Sequence, residues 1–247
     1  MHLKQFITAW QFLTIIPIKR NVEVTSESLG KSMASFPLVG LVLGLFIAAL
    51  DIAYSRLFPA NFSSALLLVS YIAMYGGFHL DGLVDTVDGL VGGRDREHAL
   101  KIMKESTIGA IGVVTLVLLL LLKYAAIGSL SGDERIGSLI LMPVIGRWTE
   151  VIMVYGSRYA REGAGLGKPF TKYVKKKEVV IATLITVVIS WFTLNYIGLL
   201  IIFFTLLFGV GMKRYFKNKL GGITGDLLGF GGELSELLML MICIAKV

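Results

Sequence analysis

Three aspartates at helical spacing are the first feature of this chain that could do chemistry. Asp81, Asp85 and Asp88 lie in the stretch "GGFHLDGLVDTVDG", residues 76–89, which follows a long apolar run. If this stretch is a helix, a rotation of about 100° per residue puts the three carboxylates on one face and His79 on the opposite face. Carboxylates this close repel one another unless a cation lies among them. Their hard oxygen atoms suit Mg²⁺, which binds a few carboxylates together with the phosphates of a substrate.

A second acidic segment, "LGGITGDLLGFGGELSELL" at residues 220–238, opens the last apolar run. Asp226 lies in a glycine-rich turn that also contains Thr224, and Glu233 and Glu236 follow on roughly one helix face. Acidic residues inside a membrane span or at its mouth are costly, and they mark a function by default. For Glu233 and Glu236 a second interpretation stays open, because they could pair with basic residues and help the helices pack.

Basic residues lie between the two acidic segments along the chain. Cations beside metal-binding acids form a site for phosphate or pyrophosphate, because they neutralise oxygens whose charge grows during transfer. Arg147, in "VIGRWTE", is the most informative, since a charge within an apolar span needs a partner. Most other basic residues, above all those at 175–177, are expected at the lipid surface. The candidates for phosphate binding are Arg94, Lys104, Arg147, Arg158, Arg161 and Arg214.

The composition places these residues in a membrane protein. Of the 247 residues 55% are hydrophobic and 17% are charged, where a soluble domain has roughly 25% charged residues. Mean hydropathy is +0.76, and the apolar residues come in long blocks. We therefore predict an all-α, multi-pass integral membrane helical bundle, residues 1–247 forming one domain, with an amphipathic N-terminal helix in the interface. About seven spans are expected, within a range of six to eight, near 33–55, 62–79, 108–130, 136–156, 179–195, 197–212 and 227–245. The fifth and sixth are separated only by "NYI", so a re-entrant or tilted pair is an alternative.

The distribution of Lys and Arg predicts the orientation. Of the 24 such residues, 19 fall in four connections, 1–32, 80–107, 157–178 and 213–226. Because positive residues stay on the cytoplasmic side, we predict that the N-terminal segment, the Asp-rich loop at 80–107 and the two basic loops face the cytoplasm. The active site would then face the cytoplasm from the prokaryotic cytoplasmic (inner) membrane. The net charge of +7 follows mostly from this topology, and no nucleic-acid-binding motif is present.

The sequence lacks the patterns of several common enzyme classes. It has no Ser-His-Asp pattern, no Cys-X-X-Cys, no P-loop and no dinucleotide-binding fingerprint. We therefore do not expect acyl transfer, ATP hydrolysis or redox chemistry. For the aspartate stripe itself, the alternatives are a solvated loop with acids placed by chance or a cation pathway in a transporter.

The long stretch that begins with the aspartates, "GGFHLDGLVDTVDGLVGGRDREHALKIMKESTIGAIG", strongly resembles the cobalamin synthase family, the adenosylcobinamide-GDP ribazoletransferases. Further stretches are similar to that family over nearly the whole chain: "FLTIIPI", "FPLVGLVLG", Arg147, "RYARE", "GLG" and "LGGITGDLLG". The chain departs from the family pattern at Glu105-Ser106-Thr107, where the family has Asp-Ser-Arg, and at Ala110, where it has threonine. The missing arginine weakens any catalytic role for position 107.

The resemblance implies the last assembly step of cobalamin. A ribose hydroxyl of α-ribazole, or of its 5′-phosphate, would attack the pyrophosphate of adenosylcobinamide-GDP, and GMP would leave. Mg²⁺ is the implied cofactor, and Asp88 is the candidate proton acceptor, by analogy with motifs in which the last Asp is the base, with Asp85 as the second catalytic candidate. The expected partners are these two substrates and the lipid bilayer, without nucleic acid, and a homo-oligomer is left open. The metal ligands would be Asp81, Asp85, Asp88 and Asp226, with His79, Gly82, Ser106, Thr224, Glu233 and Glu236 in support.

Three other classes of membrane protein fit the sequence less well than the cobalamin synthase family. A CDP-alcohol phosphatidyltransferase-like enzyme would share the spans, the acids and Mg²⁺, but its signature does not continue as "DGLVDT". An intramembrane prenyltransferase usually has an Asn at the start of its first acidic motif, and this chain has His79-Leu80-Asp81. An ion-coupled transporter would explain acids within spans, but not their grouping with so many cations on one side.

Overall fold

The computed structural model describes residues 3–20, 22–105 and 107–245. Ser106, a predicted supporting residue, lies outside these ranges. The described chain is helical and has no β-strand, which confirms the predicted all-α class. Its helices are α1 (Leu3–Leu13), α2 (Ser26–Ser32), α3 (Phe36–Leu57), α4 (Ala60–Tyr75), α5 (Phe78–Gly92), α6 (Arg96–Ile102), α7 (Ala110–Ser129), α8 (Gly132–Val154), α9 (Lys168–Tyr173), α10 (Lys176–Leu220) and α11 (Gly225–Ile244), with a single 3-10 turn at Met33–Ser35.

The helices match a protein that crosses the membrane several times. Within the described ranges, five helical stretches are long and apolar enough to span, and the count is six when α4 and α5 are taken as one bent span. The 45-residue helix α10 breaks at Leu194 and Asn195, and a Cβ on Gly198 would overlap the carbonyl oxygen of Ser190. The two arms of α10 therefore fold back on each other. These arms cover the predicted fifth and sixth segments, 179–195 and 197–212, and the five or six candidate spans compare with the predicted range of six to eight.

Helix α8 forms the centre of the bundle. Its residues from Leu139 to Val154 are almost all buried, between α3, α10 and α11. A Cβ on Gly40 of α3 would lie 2.6 Å from the carbonyl oxygen of Pro143, so the two backbones are in direct contact. Helix α1 forms where an interfacial helix is predicted, and it buries Trp10 and Leu13 in the core.

A sharp bend carries the aspartate stripe away from the direction of its span. Gly76 and Gly77 both have positive φ, 72° and 70°, a conformation that glycine adopts without steric cost. Helix α5 consequently runs at 90° to α4, and the two together are apolar enough to form one bent span. The predicted helix through the aspartates therefore exists, but it is not a straight continuation of α4.

Small residues let α5 lie against α11. A Cβ on Gly82 would come within 2.9 Å of the Cα atom of Asp226, and one on Gly229 within 3.0 Å of the Cα atom of His79. Only glycine permits this approach, in the way that small residues bring membrane helices together. The contact brings the two acidic segments of the sequence side by side.

Candidate active site

A cavity of about 620 Å³ lies where α5, α6, α11 and the loop before α9 meet. Its polar wall contains six of the predicted site residues, and an apolar wall includes Phe12, Phe78 and Phe170, whose rings pack edge to face. The cavity therefore combines charged groups that could hold phosphate with an aromatic surface. The six predicted residues that line it are His79, Asp81, Gly82, Lys104, Arg161 and Asp226.

The acidic side of the site is crowded. Asp81 is exposed and Asp85 is half-buried on the next turn of α5. Burial, followed by the charges of Asp81 and Asp226, raises the pKa of Asp85 to about 7. Desolvation and like charges both disfavour an ionised carboxylate, so a cation placed among these three groups would relieve the repulsion.

The donor set fits Mg²⁺ without forming a complete cage. Across the described ranges, no group of three or more His, Cys, Asp or Glu side chains is close enough to hold a metal ion. Mg²⁺ does not require such a group, because it keeps several waters and is bound by one or two carboxylates plus substrate phosphates. Asp81 and Asp226 supply hard oxygen atoms to the cavity, and Asp85, outside its lining, is close enough for their charges to raise its pKa, which agrees with that mode of binding.

Asp226 is held at the start of α11 by two neighbours. The Arg161 Nη2 group donates to Oδ2 of Asp226 at 2.6 Å, and the Thr224 hydroxyl lies 3.2 Å from the same oxygen. Thr224 also caps α11, because its Oγ1 accepts a hydrogen bond from the backbone N–H of Leu227. Thr224 thus contacts Asp226 and caps the helix that carries it, and its supporting role in a reaction stays a prediction.

The loop that carries Arg161 is attached to the same end of α11. The backbone N–H of Ala160 donates to the Ile223 carbonyl at 3.0 Å, and the N–H of Ile223 donates to the Arg158 carbonyl at 2.8 Å. A Cβ on Gly167 would lie 2.7 Å from the backbone nitrogen of Gly225, so the glycine-rich loop closes tightly over the helix. The basic loop and the acidic turn therefore form one wall.

Helix α6 contributes the remaining cations of the cavity. Arg96 Nε donates to the Leu220 carbonyl and its Nη2 donates to the Ala160 carbonyl, both at 2.8 Å. These bonds tie α6 to the end of α10 and to the Arg161 loop. Lys101 lines the cavity together with Lys104. The candidate phosphate-binding residues chosen from the sequence do not include Arg96 or Lys101. Both precede Lys104 on the same short basic segment, which is a signal that they could lie near it.

Asp88 has a different environment from the other acids of the stripe. Its Oδ2 accepts the backbone N–H of Gly109 at 2.7 Å, and its Oδ1 accepts that of Gly112 at 2.8 Å. A Cβ on either glycine would overlap the carboxylate. Asp88 therefore caps the N-terminus of the spanning helix α7, where two otherwise unpaired donors need an acceptor. Because both oxygens are engaged, this geometry does not favour Asp88 as metal ligand or as base.

Beneath the cavity, charged residues form a network inside the bundle. Arg147 is 1% exposed and contacts Glu150 and His79, with its Nη1 lying 2.9 Å from the His79 Nδ1 atom. His79 lies 3.2 Å from Glu150, and both residues form the floor of the cavity. On the far side, Arg147 Nη2 lies 3.7 Å from Glu236.

The network continues to a buried lysine in α7. Lys123 Nζ donates to Glu233 and to Glu236, both at 2.6 Å. The hydroxyl of Tyr71 donates to Glu236 at 2.6 Å, and that of Tyr75 donates to Glu233 at 2.9 Å. For these two glutamates the packing interpretation therefore holds in this structure, because each is paired with a cation inside the bundle.

The predicted phosphate-binding residues divide into three groups. Lys104 and Arg161 line the cavity. Arg147 belongs to the buried network instead, because its guanidinium group is held by Glu150, so the structure removes it from the direct phosphate contacts. The remaining three are exposed and lie outside the lining of the cavity as far as the described chain shows: Arg94, Arg158 and Arg214.

Comparison with known proteins gives a consistent result. Residues 5–244 match the family described as cobalamin-5-phosphate synthase. An adenosylcobinamide-GDP ribazoletransferase of Geotalea daltonii is 41% identical over 243 residues, 98% of each chain. One of Acetivibrio thermocellus is 36% identical over 241 residues, 98% of this chain and 97% of its own. One of Alkaliphilus metalliredigens is 41% identical over 240 residues, 95% and 92%. No solved structure matches the chain. With a family match over nearly its whole length and relatives of this similarity, the chain belongs to the cobalamin-5-phosphate synthase family.

Proposed function

We propose that this protein is an adenosylcobinamide-GDP ribazoletransferase. It joins adenosylcobinamide-GDP to α-ribazole, or to α-ribazole 5′-phosphate, and releases GMP. The observation that carries the proposal is the cavity in which Asp81 and Asp226 face Arg161, Lys101 and Lys104. The printed names of the relatives support the same reaction.

The cations of the cavity bind the pyrophosphate in this proposal. Arg161 presents a planar fork of donors that matches phosphate oxygens, and Lys101 and Lys104 act as point charges. They stabilise the negative charge that grows on the oxygens as the phosphorus is attacked. Arg96 shapes the wall, because its hydrogen bonds to two backbone carbonyls already use its guanidinium group.

Asp81, Asp85 and Asp226 are the proposed Mg²⁺ ligands. When bound, Mg²⁺ would neutralise pyrophosphate charge and make the phosphorus a better electrophile. The attacking ribose hydroxyl must lose a proton as the new P–O bond forms and the bond to GMP breaks. Of the two carboxylates considered for this proton, Asp85 is preferred, because both oxygens of Asp88 accept backbone hydrogen bonds.

The size of the cavity limits which parts of the two substrates can bind inside it. A space of about 620 Å³ suits a drug-sized group, and the corrin macrocycle is larger than that. We place the pyrophosphate beside the acids and cations, and a planar base against Phe12 and Phe78. The corrin then remains at the mouth of the cavity, which in this proposal opens to the cytoplasm from the inner membrane.

The test is the reaction itself. Purified protein in nanodiscs is mixed with adenosylcobinamide-GDP and either α-ribazole or its 5′-phosphate, with Mg²⁺ or with EDTA, and GMP is followed by chromatography. We expect Mg²⁺-dependent GMP release that Asp81→Ala and Asp85→Ala abolish. Asp133→Ala, an exposed acid in the first turn of α8, is the matched control and should retain activity. Absence of GMP under every metal, with folded protein, would refute the proposal and direct attention to CDP-alcohols and then to cation transport.

A further inference from the structure

One proposed metal ligand already has a counter-ion in this structure. Arg161 Nη2 lies 2.6 Å from Asp226 Oδ2, and the two side chains are 18% and 22% exposed. While the pair persists, Asp226 shares that oxygen with the guanidinium group, and the positive charge beside it lowers the affinity of the carboxylate for a metal ion. The positive charge of Arg161 also lies where a cation would otherwise reduce the repulsion among the acids.

Most hydrogen-bond donors of the Arg161 guanidinium group have no partner among the described residues. A guanidinium group has five N–H donors in a rigid fork. Among the described residues only its Nη2 has a hydrogen-bond partner, and Nε is buried without one. The remaining donors fit a ligand with several acceptor oxygens better than they fit the single oxygen of Asp226.

The other cations of the cavity are arranged differently. Arg96 is fixed by two backbone carbonyls and cannot leave them without breaking the wall. Lys101 and Lys104 have no ion pair within the described part of the chain. Arg161 is thus the cavity cation that is both paired with a proposed metal ligand and incompletely hydrogen-bonded.

We infer that Arg161 is an exchangeable counter-ion that substitutes for the metal until the pyrophosphate arrives. This inference rests on the proposed function. Without substrate, Arg161 neutralises Asp226. When the pyrophosphate enters, the guanidinium turns to its oxygens, and Asp226 becomes available to Mg²⁺. Metal and pyrophosphate then bind with positive coupling, because each favours the arrangement that the other needs.

A side-chain movement is sufficient for this exchange. The backbone before Arg161 is anchored, since Tyr159 is bridged to Ile223 beside the start of α11. The glycine with positive φ in this loop, Gly163, follows Arg161, so the backbone turn that it makes lies outside the anchored segment. The guanidinium can therefore move from Asp226 into the cavity without opening the wall.

The experiment measures metal binding without turnover. Full-length protein in nanodiscs of phosphatidylcholine, which avoids anionic lipid, is titrated with Mn²⁺, and free Mn²⁺ is read from its EPR signal. Without any nucleotide, Arg161→Gln should bind Mn²⁺ about fivefold more tightly than wild type, the size expected from releasing one partly exposed ion pair. Arg158→Gln is the matched control, since it removes the same charge from an exposed position of the same loop. It should change Mn²⁺ affinity less than about twofold.

A double-mutant cycle identifies the ligand that is released. The gain from Arg161→Gln should disappear in an Asp226→Asn background, because no carboxylate is left to free. A gain that persists there, or no gain in folded Arg161→Gln, overturns the inference. Folding is checked by thermal unfolding. Should Arg161→Gln not fold, Arg161→Met replaces it, since it removes the charge and keeps an unbranched side chain of similar length.

The coupling is measured with GDP as a non-reacting diphosphate, after subtraction of a protein-free titration of GDP with Mn²⁺. GDP should tighten Mn²⁺ binding in wild type and do so less in Arg161→Gln and Arg161→Lys. Equal tightening in all three overturns the coupling. Because neither assay contains a corrinoid, a negative result with normal GMP release rejects only the exchange. Absence of GMP release rejects the proposed function.

Discussion

Two charged regions lie next to each other in this protein, and they treat their carboxylates in opposite ways. In the network beneath the cavity, the side chains of Lys123, Arg147, Glu150, Glu233 and Glu236 are at most 3% exposed, and each carboxylate lies close to a cation. At the cavity, Asp81 is exposed and Asp226 is paired, among the described residues, with Arg161 alone, and burial together with the charges of these two acids raises the pKa of the neighbouring Asp85 to about 7.

Acidic and basic residues therefore have two roles in this protein: they stabilise the bundle in the network, and they are available to a ligand in the cavity. Buried ions are tolerated when they are paired and hydrogen-bonded, and the network meets that condition except at Arg147, whose Nε and Nη2 have no hydrogen-bond partner among the described residues. Carboxylates that repel one another favour a further cation, and at the cavity, within the described part of the chain, Arg161 neutralises only Asp226. The two regions meet at His79 and Glu150, which belong to the network and also form the floor of the cavity. The network therefore supports the site from below.

The largest effect is expected from breaking the network. Lys123→Met keeps the length of the side chain but leaves Glu233 and Glu236 facing each other without the ammonium group. Removing one partner of a buried ion pair costs about 3–5 kcal/mol. We expect a large fall in the thermal unfolding temperature in nanodiscs, and little folded protein.

A second change should restore much of this loss. In Lys123→Met/Glu233→Gln only one acid remains, and Glu236 still lies 3.7 Å from Arg147. We expect the double variant to recover at least half of the lost stability. If Lys123→Met alone unfolds at the wild-type temperature, the network is not structural and the comparison fails.

Beside the cavity, a substitution of Asp85 should lower activity without lowering stability. Asp85→Asn removes a charge from the crowded acids while nearly keeping the volume of the side chain. Activity should fall at least about 100-fold, equivalent to about 2.7 kcal/mol of transition-state stabilisation. The unfolding temperature should stay the same or rise, because a repulsion has been removed. GMP release and thermal unfolding, measured on the same preparation, would show whether activity and stability separate in this way.

The helical spacing of the aspartates was sufficient to predict that they lie on a helix. It was not sufficient to predict the direction of that helix, since the turn depends on two successive residues with positive φ, Gly76 and Gly77. The double glycine is visible in the sequence, but its geometry depends on the contact between α5 and α11. That contact in turn explains why Asp226, distant in sequence, is correctly grouped with Asp81.

The pairing of charges in the buried network is the feature that the sequence predicts least well. Arg147 was correctly identified as a charge that needs a partner, but its partners include Glu236 on another helix, which only three-dimensional packing determines. Two signals were available. Glu150 follows Arg147 at the i, i+3 spacing of a helical pair, and Lys123 is a single charge in the middle of an apolar span.

A smaller effect is expected from changing Asp88, which caps the N-terminus of α7. Asn in place of Asp88 can accept one of the two N–H groups of α7, and its amide group would face the other donor. Loss of this cap should cost about 1–2 kcal/mol in unfolding experiments. Hydrogen exchange should increase at Gly109 and Gly112. The Mg²⁺ concentration for half-maximal rate should change less than about twofold if Asp88 is a cap. A clear rise, comparable to that of Asp81→Asn, would instead make Asp88 a metal ligand.

The smallest effect is expected from a cation that is close in sequence to the site but outside the cavity. Arg214 is exposed near the end of α10, so Arg214→Gln should change neither stability by more than about 0.5 kcal/mol nor the rate by more than about twofold. Lys101→Gln removes the same charge from the lining of the cavity. It should raise KM for adenosylcobinamide-GDP several-fold, because it weakens binding of the pyrophosphate. Equal effects of the two variants would mean that the general positive charge of this face of the protein, rather than the geometry of the cavity, attracts the substrate.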